Sequence, residues 1–176
     1  RTLNAKCADY LCKVVDVAAD MEAATVIIGS GGATRHLDDD TDREEAVKCM
    51  AEVIRQAGEY AASKEVYLAV EAINRYETNF LNTMQQEFVQ QVDHPHVRTM
   101  ADTYHLNIEE ADPVESVRKY GYALQNLHLA DSNRHAPGTG HFDFKAVAGA
   151  LQEAGIDNYC SFDVFGLYPW KLWFDT

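Results

Sequence analysis

The spacing of apolar residues changes period repeatedly along this chain. Cys7, Leu11, Val14, Ala18 and Met21 recur at helical spacing and predict an N-terminal helix. "ATVIIGSGG" then reads as a buried β-branched strand running into a glycine-rich loop. "TDRE" at residues 41–44 has the form of a capping box with Thr41 at the cap. Behind it Ala46, Met50, Val53, Ile54 and Ala57 form a second helical stripe. "VYLAVEAIN" predicts a second strand, and "TMQQ" at residues 83–86 predicts the cap of a short helix carrying Phe88. "VRTMADTYH" reads as a third strand. "DPVE" at residues 112–115 places Asp at a helix cap and Pro at the first helical position. "LQNLHLADS" gives a fourth strand, Asp143 caps a helix stopped at Gly155, and "YCSFDVF" gives a fifth strand.

Strand and helix therefore alternate. The strands are continuous apolar runs, which predicts a parallel sheet buried on both faces. No internal repeat or linker divides the chain, so residues 1–176 are expected to form a single domain. "LDDDTD" at residues 37–42 is read as a solvated acidic loop.

Composition narrows the function. The 176 residues carry a net charge of −13, which opposes nonspecific binding to nucleic acid or anionic membranes. No apolar run is long enough for a membrane span. Cys7, Cys12, Cys49 and Cys160 match no zinc spacing and are expected to be buried, reduced thiols, which points to the cytoplasm. "GSGG" lacks the Lys-Ser/Thr pair of a phosphate-binding loop and is read as a tight strand-to-loop transition.

The candidate chemistry lies at the strand ends. Glu71, Asp102, His128 and Asp163 each fall at or near the carboxyl end of a predicted strand. In a parallel α/β sheet those ends share one edge, and in a barrel they converge. Taken singly, an Asp after a strand is a cap or turn former, and a His is a structural residue. Four in succession point to a site. Three close carboxylates repel unless a cation neutralises them. Three carboxylates and one imidazole suit manganese, magnesium or cobalt, with zinc also compatible.

"EAINRYE", "DTYHLNIEE" and "HLADSNRHAPGTG" resemble the D-tagatose 3-epimerase and D-psicose (allulose) 3-epimerase family, within the xylose-isomerase-like TIM barrels. The resemblance runs from about residue 26 to residue 165. It implies a metal-dependent (β/α)8 barrel, here a partial one covering strands 4 to 8. It implies Glu71, Asp102, His128 and Asp163 as metal ligands, with manganese first and cobalt or magnesium next. Glu77, His105 and Arg134 are the implied substrate-binding residues. Position 163 departs from the family, which has Glu where this chain has Asp.

The implied reaction is epimerisation of a free ketohexose or ketopentose at C3 through an enediolate. Glu71 and Asp163 are then the catalytic acid–base pair on opposite faces of the sugar. A small-molecule ketose is the expected partner, with no nucleic acid or membrane. The full-length protein is expected to be a homo-oligomer, dimer or tetramer. Alternatives on the same scaffold are a sugar isomerase, a sugar-phosphate epimerase, an inosose dehydratase, a repair nuclease, or a noncatalytic sugar-binding relative. A partial barrel is expected to leave open edges, with Trp170, Leu172, Trp173 and Phe174 short of partners, so the 176-residue chain alone is expected to be poorly soluble, oligomeric or weakly active.

Overall fold

The computed structural model describes residues 2–29, 35–84 and 88–165. Five parallel strands form one sheet in the order β1-β2-β3-β4-β5. They are β1 (Thr25–Ile28), β2 (Tyr67–Glu71), β3 (Val97–Asp102), β4 (Leu124–Leu129) and β5 (Tyr159–Phe162). The helices are α1 (Leu3–Asp20), α2 (Arg43–Ser63), α3 (Phe88–Val92), α4 (Thr103–Glu109), α5 (Pro113–Tyr120) and α6 (Phe144–Glu153). The sheet curls into a half-barrel, so that Gln125 Nε2 on β4 donates to Thr25 Oγ1 on β1, 3.4 Å away across the intervening strands. This is a partial (β/α)8 barrel.

Two apolar clusters fasten the helices to the outer face. Val15, Ile54, Ala57, Leu68, Val70 and Val97 join α1 and α2 to the first three strands. Ala101, Leu106, Leu124, Leu127, Val147 and Ala150 join α4 and α6 to β3 and β4. Burial is not uniform across the sheet. The last four residues of β2 are buried, whereas all of β5 is exposed. The expectation of strands buried on both faces therefore fails at the edge strands β1 and β5, each with one paired neighbour among the described residues.

Several local readings need correction. The α2 cap is Asp42, not Thr41: its Oδ1 accepts from Glu44 N at 2.9 Å and Glu45 N at 3.2 Å. A carboxylate at a helix N-terminus adds charge–dipole attraction to the hydrogen bond, whereas Thr41 is spent in a turn closed onto Asp38 O. The third strand stops at Asp102, because α4 begins at Thr103. The α1 stripe is rotated by one position, burying Ala8, Val15 and Ala18 and leaving Met21 exposed. Cys7 and Cys160 are exposed and Cys12 and Cys49 only half-buried, so the thiols are free but not buried.

Other caps lie where the sequence puts them. Asp112 accepts from Glu115 N at 3.0 Å, with Pro113 opening α5. Asp143 accepts from Ala146 N at 2.9 Å. Gly155, at φ +67°, closes α6 while Ile156 N bonds Leu151 O. The glycine-rich loop beyond Gly29, part of the "TMQQ" cap and the C-terminal aromatic residues lie outside the described residues.

Candidate active site

Strand register decides which side chains meet. In parallel strands, residues on one rung point to the same face. Glu71 pairs with Met100, and Asp102 pairs with His128. His128 pairs with Ser161, two residues before Asp163. Between β3 and β4 the register shifts: Thr99 pairs with Leu124, but Met100 pairs with Asn126. Without that extra residue Asp102 would face Leu127. The shift aims Leu124 and Leu127 both at the outer cluster and brings His128 alongside Asp102 on the inner face.

The result is two groups sharing Asp102. Ligand atoms of Asp102, His128 and Asp163 lie within 4.8 Å of one another, and so do those of Glu71, Asp102 and His105. The four residues read as one metal set are therefore divided, with Glu71 and His128 in different groups. His128 Nδ1 is 3.5 Å from Asp163 Oδ2 and 4.0 Å from Asp102 Oδ2. At metal–ligand bonds of about 2.1 Å, neighbouring donors are about 3 Å apart and opposed donors about 4.2 Å. The His128 separations fall inside that range.

Asp102 does two jobs. Oδ1 accepts from Tyr104 N at 2.8 Å and caps α4. Oδ2 is fully buried without a hydrogen bond, as is His128 Nδ1. Buried polar atoms of this kind are rarely left unsatisfied. Two carboxylates and an imidazole, with Asp102 Oδ2 and His128 Nδ1 both lacking a hydrogen bond, fit a hard divalent cation.

Arg134 supplies positive charge at the same point. Nη2 donates to Asp163 Oδ2 at 2.5 Å, and Nη1 sits 2.8 Å from Asp102 Oδ2 as an ion pair without hydrogen-bond alignment. The guanidinium lies between the rings of Tyr104 and Phe165, 4.8 Å from each centroid.

On the β2 side, burial and then the Asp102 charge push the Glu71 carboxyl up to about 8. Burial likewise raises Asp102 to about 6, against the pull of Arg134. Burial, then the Arg134 charge, lowers His105 to about 4, so it is neutral at neutral pH. Asn74 Nδ2 donates to His105 Nδ1 at 2.7 Å and to Glu77 Oε1 at 2.8 Å. That bond leaves the imidazole proton on Nε2, 3.7 Å from Glu71 Oε1. Glu77, itself exposed, joins the site through Asn74.

Sequence reasoning missed several residues here. Asn74 is 1% exposed and bridges two predicted positions. Thr103 Oγ1 donates to Ala130 O at 2.6 Å and accepts from Ala130 N at 2.9 Å, clamping the end of the strand that carries His128. Asp131 accepts from Ser132 N, Gly138 N and Phe142 N at 2.7, 2.8 and 3.2 Å. Burial pushes its carboxyl up, but these N–H groups and that of Gly140 hold it well below the usual carboxylate range. Arg134, at φ +63°, rides on the loop so fixed, with its N–H bonded to Asp131 O. Arg35 is 7% exposed and donates from Nη1 to Glu71 O at 2.7 Å. Gly29 has a sequence-level signal: any Cβ there would collide with the Glu71 carboxylate.

The chain is similar to known proteins in sequence and in fold. A D-psicose 3-epimerase of Enterocloster bolteae is 38% identical over 114 residues, covering 64% of this chain and 36% of the relative. An L-ribulose 3-epimerase of Methylomonas sp. is 36% identical over 148 residues, covering 76% of this chain and 51% of the relative. The crystal structure of D-psicose 3-epimerase with D-tagatose from Clostridium cellulolyticum H10 superposes with a TM-score of 0.80 at 26% identity, over 90% of this chain and 56% of that one. The chain thus spans about a third to a half of these relatives' length. A profile for xylose isomerase-like TIM barrels matches residues 2–175. On that match the chain belongs to the xylose isomerase-like TIM barrel family.

Proposed function

We propose that the protein is a metal-dependent ketose 3-epimerase acting on free ketohexoses or ketopentoses. The observation that carries this reading is the meeting of Asp102, His128 and Asp163 beside a buried carboxyl, Glu71, at the carboxyl edge of the sheet. Relatives named as D-psicose and L-ribulose 3-epimerases support it.

Asp102, His128 and Asp163 form the core of the metal set, and Glu71, sharing Asp102 with them, completes it. Manganese is the first candidate, with cobalt or magnesium next. When bound, the cation supplies Lewis-acid polarisation of the sugar's C2 carbonyl. Arg134, His105 and Glu77 hold the sugar oxygens, with Arg134 carried on the loop that Asp131 organises. One carboxylate of the Glu71–Asp163 pair takes the C3 proton, and the C–H electron pair moves towards C2 and its oxygen, giving an enediolate. The other, on the opposite face and carrying a proton, returns it to C3. Exchange of both protons with solvent water then resets the pair for the next turnover. A Glu71 pKa near working pH suits a group that must both accept and release a proton. The full-length protein is read as a cytoplasmic dimer or tetramer.

The test is a ketohexose and ketopentose panel with manganese, resolved by chromatography. Interconversion of C3 epimers is expected, with D-psicose and L-ribulose among the substrates. Aldose–ketose conversion, water elimination, or no turnover by a protein that retains its metal would end this reading.

A further inference from the structure

We infer that Arg35 is a second substrate-binding guanidinium, which fixes specificity by donating through Nε and Nη2 to two adjacent oxygens of the sugar. The inference deepens the epimerase reading and rests on it. Arg35 lies on the β1–α2 connection, at the carboxyl edge of the sheet that carries Glu71 and Asp102. Its position is held from two directions: Nη1 donates to Glu71 O, and the Arg35 carbonyl accepts from Thr78 Oγ1. The 2.7 Å bond from Nη1 to the Glu71 carbonyl places the guanidinium beside the site.

The remaining donors are unspent. Nε and Nη2 are buried, with no hydrogen-bond partner among the described residues. Burial lowers Arg35 only to about 10, so it stays cationic at neutral pH. A buried cation with idle donors costs free energy that the fold does not recover internally. The two idle atoms share one edge of the planar guanidinium, the edge that grips paired oxygens. Arg75 shows that use in the same protein: its Nε and Nη2 hold the two oxygens of Glu109 at 2.9 and 2.8 Å. Arg134 is ion-paired with Asp102 and Asp163, whereas Arg35 donates to no carboxylate among the described residues. Its free edge therefore suits paired oxygens of the sugar, either vicinal hydroxyls or two oxygens of a terminal phosphate.

Arg35→Lys keeps the charge and one donor for the Glu71 carbonyl but removes the fork. With manganese present, KM for D-psicose and L-ribulose is expected to rise roughly tenfold, the size of one lost hydrogen bond of about 1.4 kcal/mol, with kcat and manganese affinity near wild type. Comparing D-psicose with its terminal phosphate ester identifies the paired oxygens: the larger Arg35→Lys penalty marks the group that the fork holds. Adding D-psicose to the nitrogen-15-labelled wild-type protein should also shift the Arg35 Nε–H resonance, a readout that stands even where the variant folds poorly. An unchanged KM in a folded variant, or an Arg35 resonance indifferent to a ketose that the wild type turns over, would overturn the assignment. Wild-type turnover judges the epimerase reading separately.

Discussion

Asp102 stands between two unlike environments. On its β2 side Glu71 and His105 are both buried, and their shared dryness raises one pKa and lowers the other. On its β5 side His128 is half-buried, and Asp163 lies beyond an exposed strand with its side chain 36% open. Both sides hold acid and imidazole, yet burial makes the first suited to proton handling and access makes the second suited to a hydrated ion. The difference shows how one edge of a sheet separates two chemistries by depth alone.

Removing the shared residue should have the largest effect. Asp102→Asn takes charge from both groups, so turnover is expected to fall on the order of 10⁴-fold with loss of bound manganese. Metal analysis and kinetics together check it. Glu71→Gln should separate the sides: a loss of roughly 10³-fold in kcat, with a smaller loss of metal affinity. Equal loss of metal and rate would show that Glu71 is chiefly a ligand.

Arg134→Gln frees the Asp102 and Asp163 oxygens it now bridges. Manganese affinity measured by calorimetry should hold or rise, while kcat/KM drops by roughly 10²-fold through lost sugar contacts. Reduced metal affinity would show that the guanidinium supports the ion site. Asp163→Glu lengthens reach by one methylene and should keep activity within about tenfold, or raise it. Loss of a robust activity would show that the shorter side chain is the solution suited to this loop.

The smallest effect concerns pH. Glu71 is raised from 4.5 to about 8, so between those values the folded state holds a proton that the unfolded chain has released. Stability of chelator-treated protein should therefore be fullest below about pH 4.5, as far as this group is concerned, and decline as pH rises through 8. Thermal melts should show a shift of roughly several °C, which Glu71→Gln flattens. An unchanged slope in the variant would place the proton elsewhere.

The strand ends were legible because continuous apolar runs stop at ligand-type residues. Glu71, Asp102 and His128 could be named from that alone. The α4 start was not legible, since nothing in "ADTYH" breaks a β-like run until the Asp102 side chain is seen capping the next turn. Cys7 was misjudged for a related reason: a stripe of small and apolar residues leaves helix phase open by one position, and packing of α1 settles it, whereas Cys160 is exposed with the whole of β5. Arg35 and Asn74 were invisible because their partners lie 36 and 31 positions away.

Alternation of strand and helix, the parallel order and the choice of residues at the strand ends follow from the sequence, because periodicity and local propensity act over a few neighbouring residues. Which of those residues meet was a tertiary decision. The register shift between β3 and β4 sets His128 rather than Leu127 beside Asp102, and sheet curl and depth then divide the acids into a dry group and an accessible one. Register and burial depend on how distant strands fit together, which a local pattern does not encode.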